Sequence, residues 1–178
     1  MPLQGKTILE RAIRRLRAAA SVDAVAVLTT RLSEDDAIAQ RASELGALVY
    51  RGPELDVLAR FYEAAVEFKP DIIIRATADN PLIEIGSIDR IVKTLYIGKS
   101  DLCMEEQLPY GAATEAVTAE ALAEAHFRAR EPHHREHVTL YIKDHPEEFR
   151  VSYPVAPQAV CFPDIRVTVD TPADLAFV

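Results

Sequence analysis

The apolar residues of this chain alternate between a helical and an extended spacing. At 7–20 they recur every three or four positions with arginines between them, which predicts an amphipathic helix. Ser33 and Asp36 predict a capping box for a later helix. The predicted elements of the first half are a helix at 7–20, a strand at 22–30, a helix from Ser33 to Gly46, a strand at 47–50, a helix at 55–69 and a strand from Ile72. Such alternation predicts a parallel sheet built from crossover connections.

The alternation becomes less regular after Pro81. The predicted elements are a helix at 85–97, a strand at 101–104, a loop at 107–113, a strand at 114–118, helices at 119–130 and 133–143, and strands at 149–154 and 165–170. Because strict alternation is lost, we expect a mixed sheet with at least one antiparallel strand. The fold class expected is therefore α/β, with a mostly parallel mixed sheet.

The strand that begins at Ile72 ends at a carboxylate. Three consecutive isoleucines at 72–74 predict a parallel strand that is covered on both faces. Asp79 and Asn80 follow, directly before Pro81. Ligands of open α/β sheets bind beyond the carboxyl ends of the strands, so we expect a cleft at Asp79. The alternative is that Asp79 only forms a turn, since Asp and Asn before Pro are common turn residues.

A second carboxylate, Asp170, ends the last predicted strand. Thr171 and Asp174 form a predicted capping box for the next helix, which leaves Asp170 outside the cap. Asp79 and Asp170 could share one Mg²⁺, an ion that takes few protein carboxylates and accepts phosphate oxygens at its other positions. The alternative is structural, because an aspartate before a capped helix is frequent.

Arg75 lies four residues before Asp79 and so on the same face of its strand. It either binds an anionic ligand or pairs with a neighbouring carboxylate, and the second arrangement is the more common one for a buried arginine.

The remaining motifs mainly argue against particular functions. His133, His134 and His137 do not match the zinc-protease spacing, and the sequence offers them no third ligand, so structural histidines are favoured. Hydrolase elbows, dinucleotide-binding glycine loops and a complete Walker loop do not occur in the sequence. Hydrolase, dehydrogenase and P-loop functions are therefore disfavoured.

The composition of the chain limits the kinds of partner that it can bind. The 178 residues, 49% of them hydrophobic, suit one domain at 1–178. With 20 basic and 28 acidic residues the net charge is -8, which disfavours nucleic acids and acidic membranes as partners. Cys103 and Cys161 form no Cys-x-x-Cys motif, and no apolar run approaches the roughly 18 residues of a membrane span. We therefore expect a cytoplasmic protein without a membrane partner.

Five segments share their order and spacing with one known family. They are 3–10; 51–53 with 56–62; Arg-Ala-Thr-Ala-Asp-Asn-Pro-Leu-Ile at 75–83; Arg-Glu-His-Val-Thr at 135–139 with 141–142; and Thr-Val-Asp-Thr-Pro-Ala-Asp-Leu at 168–175. Together they resemble the cytidylyltransferase family of CMP-KDO and acylneuraminate synthetases, most closely the branch of spore coat polysaccharide biosynthesis protein F. The resemblance is spread over the whole chain.

The resemblance implies a Rossmann-like, three-layer nucleotide-diphospho-sugar transferase fold. It also implies a reaction in which a sugar acid attacks the α-phosphorus of CTP and releases pyrophosphate, with Mg²⁺ neutralising charge. Asp79 and Asp170 match the family's metal-binding, catalytic aspartates, although Thr168 stands where acylneuraminate synthetases carry a further aspartate. The positions implied to contact the sugar or the nucleotide are Arg75, Asn80, Glu115, Arg135 and His137. A homodimer is implied as well.

One family feature lies outside this sequence. Family members begin with a strand and an Arg-x-Gly-Ser-x-Arg-Leu-Pro-Gly-Lys loop that wraps the triphosphate, and Met1 corresponds to a position after that loop. We therefore expect a domain shortened at the N-terminus, and at the C-terminus as well, that lacks the first strand of the fold and the cations of that loop.

The expected function is a CTP-dependent cytidylyltransferase of cell-surface or spore coat polysaccharide biosynthesis. The alternative is a catalytically inactive sugar-binding, nucleotide-binding or dimerisation module of the same fold. A third reading is a related transferase that uses GTP or another nucleotide.

Overall fold

The computed structural model describes residues 2–3 and 5–178. Met1, where the predicted domain starts, and Gln4, a member of the first resembling segment, lie outside the described residues. The strands are β1 (Pro2–Leu3), β2 (Lys6–Thr7), β3 (Ala26–Thr30), β4 (Leu48–Gly52), β5 (Ile72–Arg75), β6 (Leu102–Met104), β7 (Glu115–Thr118) and β8 (Val151–Ser152). The helices are α1 (Ile8–Arg17), α2 (Asp36–Glu44), α3 (Val57–Phe68), α4 (Ile85–Gly98), α5 (Ala119–Arg128), α6 (Pro132–Glu136), α7 (Leu140–Asp144) and α8 (Pro172–Phe177), with 3₁₀ turns at Ser33–Asp35 and Gln158–Val160.

The strands form two sheets and a short hairpin. Strands β3 and β4 pair in parallel, with Ala26 opposite Leu48. The larger sheet has the order β5-β7-β6-β8, in which β7 is antiparallel to both neighbours and β6 is parallel to β8. Strands β1 and β2 form an antiparallel hairpin before α1. The mixed α/β architecture expected from the sequence is therefore confirmed.

The main core lies between the larger sheet and the helices that follow it. Its buried residues come from α3, β6, β7, α5 and α7, from the break before α7 and from the segment after it. They include Leu58, Leu102, Val117, Leu122, Val138, Ile142 and Phe149. A second cluster joins α1 to α4 through residues such as Ala12 and Ile88. These contacts hold the loops at the ends of β5 and β7 against a rigid base.

An apolar cleft of about 960 Å³ lies between the two sheets. It is bordered by β3 and β5 and by the inner faces of α1 and α3. The isoleucines at 72–74 line it and are only half-buried. The prediction of a parallel strand was therefore wrong for β5, because β5 pairs antiparallel with β7 and its other edge borders this cleft. The prediction that both faces are covered is confirmed, since Ile73 packs against the main core and Ile72 and Ile74 pack against a separate apolar cluster on α4 and the sheet.

The first half differs from expectation at one helix start. Ser33 and Asp36 do not form a capping box, since the segment Ser33–Asp35 is a 3₁₀ turn without a side-chain cap. Instead, the Asp35 carboxylate accepts hydrogen bonds from the Thr29 hydroxyl (2.8 Å) and the Thr30 amide (2.9 Å). The Asp35 carboxylate thus binds the end of β3 and does not cap the start of α2.

The second half differs in two places. The helix predicted at 133–143 is divided into α6 and α7, because a break at 137–139 lets Val138 enter the core and Thr139 reach the buried Glu115. The strand predicted at 165–170 is an extended segment whose single bridge in the described residues joins Arg166 to Tyr110. The capping box of Thr171 and Asp174 at the start of α8 is confirmed.

Hydrophobic helices of membrane-spanning length are absent from the residues that the structure describes.

Candidate functional site

A cleft of about 830 Å³ opens where β5 and β7 meet the loops on either side of them. Asp79 and Asn80 reach it from the loop after β5, and Thr168 and Asp170 from the segment before α8. A third wall is the loop between β6 and β7, which contributes Glu105 to Gly111 among others. The two aspartates predicted at strand ends therefore line the same cleft, although 91 positions separate them in the sequence.

Backbone contacts hold the two acidic segments together. The Val169 amide donates a hydrogen bond of 3.0 Å to the carbonyl of Asp79. Gly111 packs against the same junction with φ near +93°. A Cβ at this glycine would lie 2.7 Å from the Thr168 nitrogen and 3.0 Å from Asn80 Oδ1. The close approach requires glycine, both for space and for the left-handed backbone.

The two carboxylates differ in their surroundings. Asp79 is exposed, and its side chain makes no hydrogen bond or ion pair with the described residues. Asp170 pairs with Arg166, four residues before it. The Arg166 guanidinium also lies over the ring of Tyr110, 5.1 Å from its centroid. Asp79 can thus accept a ligand directly, whereas Arg166 already occupies Oδ2 of Asp170 and competes with a cation for this carboxylate.

The donor set suits a hard divalent cation. Both aspartates offer carboxylate oxygens, which Mg²⁺ prefers. Asn80 adds a carbonyl oxygen, Oδ1, that is buried and has no hydrogen-bond partner in the described part of the chain, while its nitrogen donates to Thr77 Oγ1 over 2.7 Å. A buried acceptor without a partner, on the residue that follows Asp79, is what a bound cation or its water would satisfy. The role of Asp79 and Asp170 as metal ligands stays a prediction.

A buried ion cluster forms the floor of the cleft. The Glu115 carboxylate accepts from Arg75 (3.0 Å), from the Thr139 hydroxyl (2.7 Å) and from the Lys143 ammonium. Burial acts to raise the pKa of Glu115, but the positive charges of Arg75 and Lys143 and these hydrogen bonds outweigh it, so the pKa is lowered. Arg75 thus pairs with a neighbouring carboxylate, which is one of the two arrangements that the sequence allowed, and it lines the candidate site.

Sequence reasoning missed two acidic residues in the cleft. Glu105 is buried and receives a two-pronged hydrogen bond from Arg90, with distances of 2.6 and 2.8 Å. The neighbouring Glu106 is exposed in the same cleft. The hydrogen bond to Glu105, then the hydrogen bond to Glu84 and the charges of both glutamates, raise the pKa of Arg90, whose side chain bridges them. Both glutamates directly follow β6, so the signal that revealed Asp79, a carboxylate after a strand, would have found them.

Two predicted contact residues lie elsewhere. The Arg135 guanidinium binds Asp56, which also caps α3, with Nε 2.9 Å from Oδ2. It donates as well to the carbonyl of His126 over 2.7 Å. His137 is exposed at the break between α6 and α7. Neither Arg135 nor His137 is among the residues lining the cleft, and their predicted contacts with substrate remain untested.

Comparisons with known proteins agree with this fold. A family model described as cytidylyltransferase matches residues 1–177. The uncharacterized protein MJ1063 of Methanocaldococcus jannaschii is 38% identical over 174 residues, 98% of this chain and 72% of that protein. The spore coat polysaccharide biosynthesis protein SpsF of Bacillus subtilis is 33% identical over 97% of this chain and 74% of that protein.

Solved structures show the same architecture. A cytidylyltransferase from Leptospira borgpetersenii is similar with a TM-score of 0.89 and 29% identity, covering 98% of this chain and 74% of that one. A CMP:2-keto-3-deoxy-manno-octonic acid synthetase complexed with CTP has a TM-score of 0.71, with 99% of this chain and 88% of that one covered. At 16% identity, this second likeness concerns the fold alone.

Proposed function

This chain belongs to the cytidylyltransferase family, as its motifs suggested, and on that premise we propose that it activates an acidic sugar with CTP and releases pyrophosphate. A hydroxyl oxygen of the sugar acid attacks the α-phosphorus of CTP and loses its proton to solvent, and the bond from that phosphorus to the pyrophosphate oxygen breaks. The product is a CMP-sugar for cell-surface or spore coat polysaccharide. The relative named for spore coat polysaccharide biosynthesis supports this choice of product.

The observation that carries the proposal is the placement of Asp79 and Asp170 in one cleft, joined through the Val169 amide. Asp79, Asp170 and the unpaired Asn80 oxygen would hold Mg²⁺. When bound, Mg²⁺ supplies charge neutralisation and positions the phosphates. Asp79 is free for this role, while Arg166, displaced from Asp170, becomes available to an anionic group of the substrate.

The sugar is expected to lie towards the floor and the β6–β7 loop. Glu106, which is exposed in the cleft, offers an acceptor for sugar hydroxyls, and Glu115 holds Arg75 in the lining of the same cleft. Arg75 lines the cleft and can pair with the carboxylate of a sugar acid, because about a quarter of its side chain remains exposed.

A second function is favoured by the charge of the cleft. Arg75, the cation among the described residues that line the cleft, is paired with Glu115. The cations that pair with other lining carboxylates are also engaged: Lys143 with Glu115, Arg90 with Glu105, and Arg166 with Asp170. A triphosphate would find few unpaired positive groups among the described residues. The alternative is therefore an inactive sugar-binding, nucleotide-binding or dimerisation module of the same fold.

Pyrophosphate release separates the two functions. The chain is incubated with CTP, Mg²⁺ and a panel of sugar acids, and its folding is verified by circular dichroism. Release that depends on both CTP and a sugar acid supports the enzyme, with Asp79→Asn as the inactive control. No release from folded protein favours the module.

Nucleotide choice needs its own measurement. Thermal stability is compared with each of the four nucleoside triphosphates in the presence of Mg²⁺. A stabilisation specific to CTP is expected, since binding to the native state raises the melting temperature. Equal shifts for all four, or a preference for GTP, would overturn the assignment of CTP. The homodimer and the cytoplasmic location expected from the sequence stay predictions.

A further inference from the structure

A second group of metal-ligating side chains lies on α6 and α7, outside the cleft. His133, His134 and Asp144 each present one ligand atom, and these atoms all lie within 4.8 Å of one another. In the sequence, His133 and His134 lacked a third ligand. The fold supplies it in Asp144, ten residues after His134, while His137 is not part of the group.

The break between α6 and α7 creates this arrangement. It lets α7 fold back against α6, so that His134 Nε2 lies 2.9 Å from Asp144 Oδ2. The His134 ring is buried and packs edge-on against Tyr141, with the ring centroids 5.3 Å apart. These contacts fix the orientation of His134 before any ligand arrives.

The placement of His133 is the feature that a hydrogen bond alone does not explain. His134 and Asp144 satisfy each other through one hydrogen bond. The His133 ring nevertheless lies beside them, with its centroid 4.1 Å from that of His134. His133 is exposed and therefore has freedom to turn. Its ring nitrogen already lies within 4.8 Å of the other two ligand atoms, so rotation of this exposed side chain can direct it at the same ion position.

We propose that His133, His134 and Asp144 bind one Zn²⁺ ion that joins α6 to α7. Two imidazole nitrogens and one carboxylate oxygen are ligands typical of zinc, with water at the fourth position. Bonds of about 2.0–2.2 Å require ligand atoms roughly 3.3–3.6 Å apart, which lies between the 2.9 Å and 4.8 Å of the present arrangement. Rotation of exposed side chains provides that adjustment.

The ion would stabilise the helix that supports the cleft floor. Helix α7 carries Lys143, and Thr139 precedes it; both donate to Glu115. Asp144, the third ligand, directly follows Lys143, so the zinc site would hold the end of α7 that carries one of these two donors. The inference stands independently of the transferase reaction, because it concerns binding of the metal itself.

Calorimetric titration with zinc chloride tests the site. Tag-free protein, treated with a chelator and dialysed, is titrated in an excess of Mg²⁺ to occupy the other carboxylates. One equivalent is expected to bind, and His133→Ala and Asp144→Asn should each weaken binding at least about tenfold, since even indirect metal contacts are worth that much. Both side chains are exposed, so the variants should fold.

Two control variants distinguish this site from general binding. His137→Ala, an exposed histidine between α6 and α7, and Asp79→Asn, in the cleft, should leave zinc affinity unchanged. Cobalt(II) should give the visible absorption of a tetrahedral site in the native protein and lose it in His133→Ala. A titration without one-to-one binding of zinc would overturn the proposal. So would a loss of zinc affinity in His137→Ala or Asp79→Asn equal to that in His133→Ala.

Discussion

The amide of Val169 donates to the carbonyl of Asp79 over 3.0 Å. This bond places Asp170, the next residue, beside the loop that carries Asp79. It therefore joins the backbones that carry two cleft-lining carboxylates from distant parts of the chain. The consequences for metal binding can be measured one side chain at a time.

Asp79→Asn should weaken Mg²⁺-dependent CTP binding at least about tenfold, because it removes a ligand charge while keeping the side-chain shape. The melting temperature should change little, since the carboxylate is exposed and makes no contact with the described residues. Isothermal calorimetry with and without Mg²⁺ measures the effect. Asp164→Asn, an exposed aspartate outside the cleft lining, is the matched control, and unaltered metal dependence in Asp79→Asn would reject the ligand role.

Arg166→Gln should strengthen Mg²⁺ binding by up to about fivefold. The reason is that the Arg166 charge no longer competes with the cation for the Asp170 carboxylate, and the weakness of an exposed ion pair limits the gain. Arg128→Gln, which breaks exposed pairs with Glu124 and Glu148 elsewhere, should have no effect. Weaker Mg²⁺ binding in Arg166→Gln would contradict the prediction that Arg166 competes with Mg²⁺ for the Asp170 carboxylate.

Gly111→Ala should both destabilise the protein and reduce nucleotide binding. Its Cβ would lie 2.7 Å from the Thr168 backbone, so the acidic segments must separate. Gly46→Ala is the control, because Gly46 also has a positive φ but no neighbour nearer than 3.6 Å. The control should lose about 1–2 kcal/mol from backbone strain alone, and retain binding. Chemical denaturation and calorimetry on both variants would show whether the close packing matters.

Glu115→Gln should cost about 3 kcal/mol of stability, because it leaves Arg75 and Lys143 without their buried counter-charge. Glu106→Gln, exposed in the same cleft, should change stability little. Urea denaturation at neutral pH measures both. A loss in Glu115→Gln no larger than that in Glu106→Gln would mean that the cluster contributes little.

The same carboxylate sets a pH dependence. Since the pKa of Glu115 is lowered in the folded protein, its stabilising contribution is present above the unfolded pKa of about 4.3 and is lost as the pH falls towards the folded pKa. Melting temperatures from pH 7 to pH 3 should therefore fall more steeply in the native protein than in Glu115→Gln. Parallel curves would contradict this assignment.

The sequence by itself determined the class of fold and the chemistry available to it. Apolar spacing located most helices and strands, since burial of one face is a local property of the pattern. The ordered motifs identified the family, and the strand-end position of Asp79 and the cap beside Asp170 were visible without coordinates. The same local logic would also have found Glu105 and Glu106.

Only the tertiary structure decided which of these groups meet. Arg75 pairs with Glu115 and Arg135 with Asp56 across 40 and 79 positions, and Asp144 joins two histidines only because the predicted helix at 133–143 breaks. The break arises where Val138 and Thr139 gain more from burial and from Glu115 than a continuous helix offers. Pairings of this kind depend on packing between distant segments, and packing is a property of the whole chain rather than of any local pattern.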